Sequence, residues 1–400
     1  MRINTANQFE RSIEILQSRQ QSLQSAQERL TSGKRIARAS DDPTGAARAE
    51  RALAQESRIV AKQRALEASR NAMSQAETAL GDASDLMQRA RELVVQAGNA
   101  SYADAQRRSI AEELRGLRQQ LLGVANRSDG AGGYLFAGQG APSAPFVDAP
   151  GGVQFAGTSG QMQAAGSEEL PISIDGDATW LKAPSGNGVF VTSAASGNAG
   201  GAWIDAGKVT TPADLAPVTA YSIVFAVDGA GTTTWEVSPP PTVGPGGPQP
   251  YQAGKAIEFD GLAVSVHGVP AAGDTFEIQP SQRDLSVFTA LDQVITDLQT
   301  GGRSGAQTTQ TVQRGLRDLD AALGSLIAAR SRLGGILDQT DGLEMRLGDT
   351  KVAAQAERSA AEDLDMVEAV SQFQSRQTSY DAALKAYSMV QRLSLFEYIR

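Results

Sequence analysis

Apolar residues recur at heptad spacing from Val312 to Leu347, and this stretch organises the whole prediction. Successive apolar positions there alternate four and three residues apart, a spacing typical of a coiled coil, although Arg330, Thr340 and Glu344 interrupt it. A fully buried leucine is worth roughly 1.5–3 kcal/mol relative to an exposed one, so the stripe needs a partner helix. Its apolar members are Val312, Leu316, Leu319, Leu323, Leu326, Leu333, Leu337 and Leu347.

The best partner for this stripe is a second heptad series far upstream in the chain. Alanines follow four of its members at a distance of three residues, and small residues let two helices approach closely. We therefore predict that the helical core is built from both ends of the chain and that the middle is an insertion. The upstream series contains Ile59, Leu66, Met73, Leu80, Met87 and Val94, with Ala76, Ala83, Ala90 and Ala97 beside it.

The two chain ends carry their own amphipathic helices. The first predicted helix has apolar residues every seven positions and ends near Ser32, and the last begins near Glu362 and closes on the apolar sequence LSLFEYIR. An end this apolar must dock, either on the other terminal helix or on neighbouring subunits. The predicted subunit and partner interface comprises Ile3, Phe9, Ile13, Leu16, Leu23, Leu30, Leu384, Tyr387, Leu393, Leu395, Phe396, Tyr398 and Ile399.

Two local signals predict where helices begin. Asp42 before Pro43 is typical of an N-cap followed by proline in the first helical position, and we predict a structural cap there rather than a cation site. Ser281 with Asp284 resembles a capping box that restarts helix after the insertion.

The middle of the chain is predicted to be antiparallel β structure. Alternating residues predict a hairpin from Tyr221 to Val237, and a second hairpin turns at Asp260 and Gly261 in a type I′ turn. The proline-rich segment Ser238 to Pro250 is expected to be an exposed loop.

The predicted fold class is α + β, a long antiparallel coiled-coil helical bundle made from both chain ends with an inserted antiparallel β domain. Three domains are predicted. Residues 1–42 and 362–400 form a terminal coiled-coil assembly domain, 43–138 and 284–361 a helical bundle domain, and 139–283 an outer β domain.

Composition excludes several kinds of chemistry. A net charge of −9 argues against nucleic-acid binding, and the basic cluster of Lys34, Arg35 and Arg38 is interpreted as a solvated loop. No cysteine is present, and the single histidine, His267, is expected to pack in a strand. No apolar run reaches the length of a bilayer span, and the first ten residues do not form a signal peptide, so no membrane association is expected.

A catalytic or carbohydrate-binding central domain is the competing hypothesis. It would use Asp175, Asp177, Asp205 or Trp203, but these residues lack a frame of paired carboxylates, and acidic surface loops are the favoured interpretation. We therefore predict no enzyme activity, no catalytic or cofactor-binding residue, no cofactor and no metal site.

Four segments resemble the flagellin superfamily. They are Met1-Arg2-Ile3, the sequence SGKRIARASDDPTGAAR at 32–48, the sequence GYLFAG at 133–138, and the LSLFEYIR terminus. The likeness covers about residues 1–140 and 284–400, and the last two segments are more similar to the hook–filament junction members than to the filament flagellins.

The resemblance implies a structural function on the extracellular bacterial flagellum. It implies export by the flagellar type III system without a cleaved signal peptide, helped by an export chaperone. It implies a junction that connects the hook side, through the first hook-associated protein, to the flagellin filament by interlocking terminal helices and self-association. A filament flagellin is the alternative within the same superfamily.

Overall fold

The structure is a computed structural model that describes residues 5–164, 170–215 and 220–398, with side chains described from 10 to 389 within those ranges. Six α-helices lie within these residues, three on each side of the predicted insertion. They are α1 (Thr5–Ser32), α2 (Pro43–Ala97), α3 (Asp104–Ala125), α4 (Val287–Gln299), α5 (Gly305–Glu362) and α6 (Met366–Tyr398).

Between α3 and α4 the described chain forms thirteen short strands. The strands are β1 (Phe146–Ala149), β2 (Gly152–Phe155), β3 (Ala183–Pro184), β4 (Phe190–Ala194), β5 (Gly201–Ile204), β6 (Lys208–Val209), β7 (Tyr221–Val227), β8 (Thr233–Ser238), β9 (Gln249–Pro250), β10 (Ala256–Phe259), β11 (Leu262–Val269), β12 (Thr275–Pro280) and β13 (Arg283–Leu285). A π-helix (Asp177–Leu181) and a 3₁₀ turn (Pro212–Asp214) interrupt them. The predicted helical ends with an inserted antiparallel β region are therefore confirmed.

The chain divides into two compact units. Unit 1 contains Met1–Arg64 and Gly342–Arg400, and unit 2 contains Ala65–Asp341. Both boundaries fall within a helix, the first in α2 and the second in α5. The finer division into three domains at residues 42, 138, 283 and 361 stays a prediction.

In unit 2, α2 and α5 pack as the antiparallel pair expected from their heptads. Ion pairs join Arg91 to Asp320 at 2.7 Å and Arg330 to Glu77 at 2.6 Å, so residue numbers rise along one helix as they fall along the other. The upstream series is confirmed, because all six members are buried and those from Met73 onward share one core with the alanines beside them.

The second column of the α5 seam differs from the prediction. The column Val312, Leu319, Leu326 and Leu333 is buried, whereas Leu316 and Leu323 are only half-buried. The column that completes the seam lies one residue earlier and consists of Gly315, Ala322, Ala329, Ile336 and Leu343. Small residues prevail at its start because neighbouring helices come close; a Cβ on Gly315 would lie 2.5 Å from Cγ2 of Val294 in α4.

Two predicted helix starts were wrong. α4 is capped by Ser286, whose side chain accepts hydrogen bonds from the amides of Phe288 and Thr289, while 283–285 pairs as β13 with β3. The strand pairing places the predicted capping box at Ser281 outside the helix. α6 begins at Met366 rather than near Glu362, because 363–365 forms a turn between α5 and α6.

The β region contains two main sheets that enclose a second core. One sheet has the strand order β4-β12-β7-β8-β9, and the other has β10-β11-β5 with β6 also pairing with β11. All of these pairings are antiparallel. The core is rich in aromatic and β-branched side chains, including Phe190, Ile223, Phe225, Val266 and Phe276.

Both predicted hairpins are present, β7 with β8 and β10 with β11. Asp260 and Gly261 have φ values of 44° and 75°, as a type I′ turn requires. Asp260 is also buried, and its carboxylate accepts hydrogen bonds from the amides of Thr242 and Val243 and from the Tyr221 hydroxyl. These bonds tie the proline-rich loop to the hairpin.

The insertion is fastened to the helices by an aromatic cluster and by one arginine. Trp180 stacks on Phe288 of α4 with ring centroids 6.0 Å apart. Arg118 of α3 is almost buried and pairs with Asp148 of β1 at 2.7 Å and with Asp292 of α4 at 2.6 Å. Its hydrogen bond holds the pKa of Asp148 below its ordinary value.

Candidate assembly surface

The terminal helices α1 and α6 of unit 1 lie side by side and antiparallel. The Arg19 guanidinium donates a hydrogen bond to the Ser379 carbonyl at 2.7 Å, and the Arg376 guanidinium donates one to the Ser22 carbonyl at 3.0 Å. These two contacts place the ends of the chain together as a helical pair.

This pair buries few large apolar side chains. Its fully buried described members are Ala26 and Ala369, while Leu16, Leu23 and Leu30 are only half-buried. Among described unit 1 side chains larger than alanine, only Ile59, Leu343 and Leu347 are fully buried, and they lie on α2 and α5. The monomer therefore leaves much of the apolar surface of its terminal helices in water.

We call the exposed apolar side chains of α1 and α6, taken together, the terminal apolar surface. Ile13 is 42% exposed and Leu384 is 41% exposed, and Val367, an apolar residue of the last helix outside the predicted interface, is 84% exposed. Tyr387 is half-buried. The surface as described consists of Ile13, Ile15, Met366, Val367, Val370, Leu384 and Met389.

The predicted interface residues thus differ in position. Ile13 and Leu384 lie outward on this surface, and Leu16, Leu23, Leu30 and Tyr387 are half-buried. The other predicted members, Ile3, Phe9, Leu393, Leu395, Phe396, Tyr398 and Ile399, lie outside the residues whose side chains are described.

The turn between α1 and α2 is clasped to the turn between α5 and α6. Lys34 and Asp363 form an antiparallel bridge, the Leu364 amide donates to the Gly33 carbonyl at 3.0 Å, and the Arg35 amide donates to the Glu362 carbonyl at 2.7 Å. The last carbonyls of α5, which have no hydrogen-bond donor within the helix, are thereby hydrogen-bonded. We call this arrangement the turn clasp.

Arg35 connects the turn clasp to the start of α2. Its guanidinium donates to the Ala361 carbonyl at 2.7 Å and lies 3.3 Å from the Asp42 carboxylate. Asp42 caps α2 by accepting from the Gly45 amide at 2.9 Å and from the Thr44 hydroxyl. The Gly45 bond first, and then the Thr44 bond, lower the pKa of Asp42.

Sequence reasoning missed the turn clasp. It interpreted Lys34 and Arg35 as solvated, whereas Lys34 pairs with Glu362 at 3.2 Å and Arg35 bonds to Ala361. Heptad patterns predict that helices from the two chain ends pair, but they do not identify hydrogen bonds between individual turn residues more than three hundred positions apart.

The residues of the competing catalytic hypothesis have structural roles. Asp175 accepts a hydrogen bond from the Gly160 amide, and Asp177 pairs with Lys182. Asp205 accepts from the amides of Gly207 and Ser265. Trp203 stacks on His267 across β5 and β11, with ring centroids 4.3 Å apart.

The described residues contain neither a metal-binding cluster nor a membrane-spanning helix. No group of three or more acidic or histidine side chains is arranged to hold a metal ion. None of the described helices combines the length and the apolar character needed to cross a bilayer.

Helical regions from both chain ends, paired in antiparallel fashion around a β insertion, define a flagellin-type subunit. The model of the bacterial flagellin N-terminal helical region matches residues 3–141, and that of the C-terminal helical region matches residues 316–399. Together the two models match more than half of the chain.

Solved and curated relatives specify the family. The flagellar junction protein FlgL from Legionella pneumophila is 30% identical, with a TM-score of 0.69, over 79% of this chain and 100% of that one. Flagellar hook-associated protein 3 of Escherichia coli is 23% identical over 99% of both chains. The Salmonella typhimurium protein of the same name is 27% identical over 44% of this chain and 56% of its own length. The chain belongs to the flagellar hook-associated protein 3 family.

Proposed function

We propose that this chain is a structural junction protein of the bacterial flagellum. It connects the hook side, through the first hook-associated protein, to the flagellin filament, and its terminal helices interlock with those of its neighbours. The terminal apolar surface carries the proposal, because apolar side chains that the monomer leaves in water gain roughly 25 cal/mol per Å² when a neighbour covers them. The names of its relatives, hook-associated protein 3 and flagellar junction protein, agree with this function.

The same surface explains why assembly waits until export. An isolated helix pair that buries so little apolar area is only marginally stable. The entropic cost of ordering it is offset by the apolar area that becomes buried on assembly. We propose that an export chaperone covers these helices before passage through the flagellar type III route. The proposed final location is extracellular, on the flagellum, and the proposed role involves no enzymatic step.

Deletion and complementation in the source bacterium test the junction role. Loss of the protein should leave hooks without filaments while unpolymerised flagellin escapes into the medium, and the intact chain should restore filaments. A mutant that still builds attached filaments, merely shorter ones, would instead support the filament flagellin alternative.

A matched pair of double variants tests the terminal apolar surface. Ile13→Asp with Leu384→Asp should abolish incorporation into flagella, while the helix content of the purified monomer stays unchanged because both side chains are already exposed. Val227→Asp with Val269→Asp, at exposed positions of the β region, should incorporate normally. Equal incorporation of the two variants would refute the role of this surface.

Limited proteolysis tests the marginal stability of the ends. In the purified monomer, cleavage should begin within about residues 1–40 and 362–400 and leave a fragment that contains the helical bundle and the β region. Ends as resistant as the helices of unit 2 would contradict the proposal.

A further inference from the structure

A basic trough of about 830 Å³ lies on the surface of unit 2. Its floor is the face of α5 turned away from α2, since Gly324 and Ala328 are exposed while Leu319 and Leu326 face the core. Its opposite wall comes from the π-helix and the segment that follows it. The floor contains Gln313, Leu316, Ala321, Gly324, Ser325 and Ala328.

Positive charge dominates this trough. Arg91, Lys182, Arg283, Arg317 and Arg332 line it, and Asp320 is the one acidic residue among the described residues that line it. The contrast is large, because the whole chain has a net charge of −9. Such a local excess of one charge attracts the opposite charge at close range.

Two of these arginines are available to a partner. Asp320 pairs with Arg91 and Asp318 with Arg317. Arg283 and Arg332 are exposed, and neither makes an ion pair within the described ranges. A docking carboxylate would therefore not have to displace an existing ion pair at either one.

The same helix carries a complementary acidic stretch farther along. Residues 338–349 of α5, DQTDGLEMRLGD, contain four carboxylates and one arginine. Asp338 and Asp349 are exposed, and no ion pair to either is found in the described part of the chain. Asp341 pairs with Arg70 at 3.3 Å, but both side chains are about half exposed, so that pair is weak and replaceable.

We propose that the basic trough of one copy binds the 338–349 stretch of α5 of a second copy. The fit in length is good, since twelve helical residues extend about 18 Å and the trough follows α5 from Gln313 to Arg332, about 30 Å. Glycine, alanine and serine on the floor let a second helix approach closely. The contact rests on the proposed function, because it supposes copies assembled side by side.

Two different patches meet in this contact, so it is heterologous. Each copy offers a trough to one neighbour and an acidic stretch to another, and repetition generates a closed ring or an open helix. The contact uses none of the residues of the terminal apolar surface, and it would fix the spacing of copies around the junction.

Charge reversal tests the pairing in cells that lack the native copy. Arg283→Glu with Arg332→Glu should reduce the fraction of cells with filaments at least tenfold, and Asp338→Arg with Asp349→Arg should do the same. All four changes in one chain should restore filaments to within twofold of the unaltered chain. Lys208→Glu with Lys255→Glu, which makes the same charge change at exposed positions of the β region, should have no effect.

The proposal would be overturned if Arg283→Glu with Arg332→Glu behaved like the lysine control. It would also be overturned if the variant with all four changes failed to restore filaments. Recovery also excludes misfolding as the cause of the first two losses. The test of the trough contact can be distinguished from the test of the junction function, because the unaltered chain tests the junction function alone. If it fails to restore filaments the proposed function fails, whereas normal filaments from every reversal variant eliminate only the trough contact.

Crosslinking provides a second measurement that leaves all the charges in place. The chain has no cysteine, so Ser325→Cys in the trough and Met345→Cys in the acidic stretch introduce its only thiols. A short bismaleimide added to isolated flagella should yield covalent oligomers of the chain on an immunoblot. Ser325→Cys with Thr78→Cys, an exposed position on α2, should yield monomers. Monomers from the first pair, or equal oligomers from both, would refute the contact.

Discussion

The register of the α2–α5 seam can be tested by the same substitution at two neighbouring leucines. Leu326 is fully buried in the core of unit 2, whereas Leu323, three residues earlier on the same helix, is half-buried beside it. Truncation to alanine changes helix propensity alike at both sites, so the difference between the variants reports packing alone.

The structure gives the two truncations different costs. Leu326→Ala removes fully buried methyl groups and leaves a cavity between two long helices that cannot collapse into it, which costs about 3–4 kcal/mol. Leu323→Ala loses only part of the free energy gained by transferring a leucine side chain from water to the core, and it leaves no enclosed cavity. Its cost in stability is therefore about 1 kcal/mol. For a unit of this size the corresponding falls in Tm are roughly 6–16 °C and 2–4 °C.

Tryptophan fluorescence during urea unfolding is the appropriate assay. Trp180, Trp203 and Trp235 all lie in unit 2, so the signal follows the unit that contains both leucines. The midpoint should fall with an unchanged m value, since the surface exposed on unfolding stays the same. Equal losses, or a larger loss for Leu323→Ala, would refute the observed register and restore the one expected from the leucine pattern.

Three further predictions concern single side chains. Burial raises the pKa of Asp260, but its three hydrogen bonds outweigh burial and hold the pKa below its ordinary value. The carboxylate therefore stabilises the fold above about pH 4, and this stabilisation is lost as the pH falls through the folded pKa. Asp260→Asn should make the free energy of unfolding depend less on pH below pH 4, and an unchanged pH dependence would contradict this. Gly138→Ala should lower the free energy of unfolding measured in urea by roughly 1–3 kcal/mol, because φ is +67° and the new Cβ would lie 2.0 Å from the Thr158 carbonyl oxygen. An unchanged free energy of unfolding would be inconsistent with that geometry. Arg35→Met should open the turn clasp and speed proteolytic cleavage at residues 33–42 several-fold, whereas Arg38→Met, whose side chain is exposed, should not; equal rates would argue against the clasp.

Local patterns predicted the elements of this fold well. The upstream heptads are buried as expected, both hairpins form, and the I′ turn occurs at Asp260 and Gly261. Each of these features depends on residues within about one or two helical turns or within a single hairpin. The start of α4 was predicted less well, because pairing of β13 with β3, a strand about a hundred residues earlier, decides where the helix begins.

The candidate site was predicted only in part. Sequence identified Ile13 and Leu384 as surface for a partner, and the structure leaves both exposed. It placed Val367 on the apolar stripe of the last helix but not in the interface, because the position of a residue in a stripe does not reveal whether the monomer covers it. Nor did it show Arg35 bonding to Ala361.

What the sequence by itself determined is the plan of the molecule, with helices from both ends, a β insertion between them, and apolar termini that require a partner. Periodicity, caps and turn residues carry this information because each acts over a few neighbouring positions. Only the tertiary structure decided which column of α5 faces α2, how Arg35 joins two distant turns, and how scattered arginines line one trough. These features depend on contacts between segments that are far apart in the sequence, and the spacing of residues within one segment does not determine which side chains those contacts bring together.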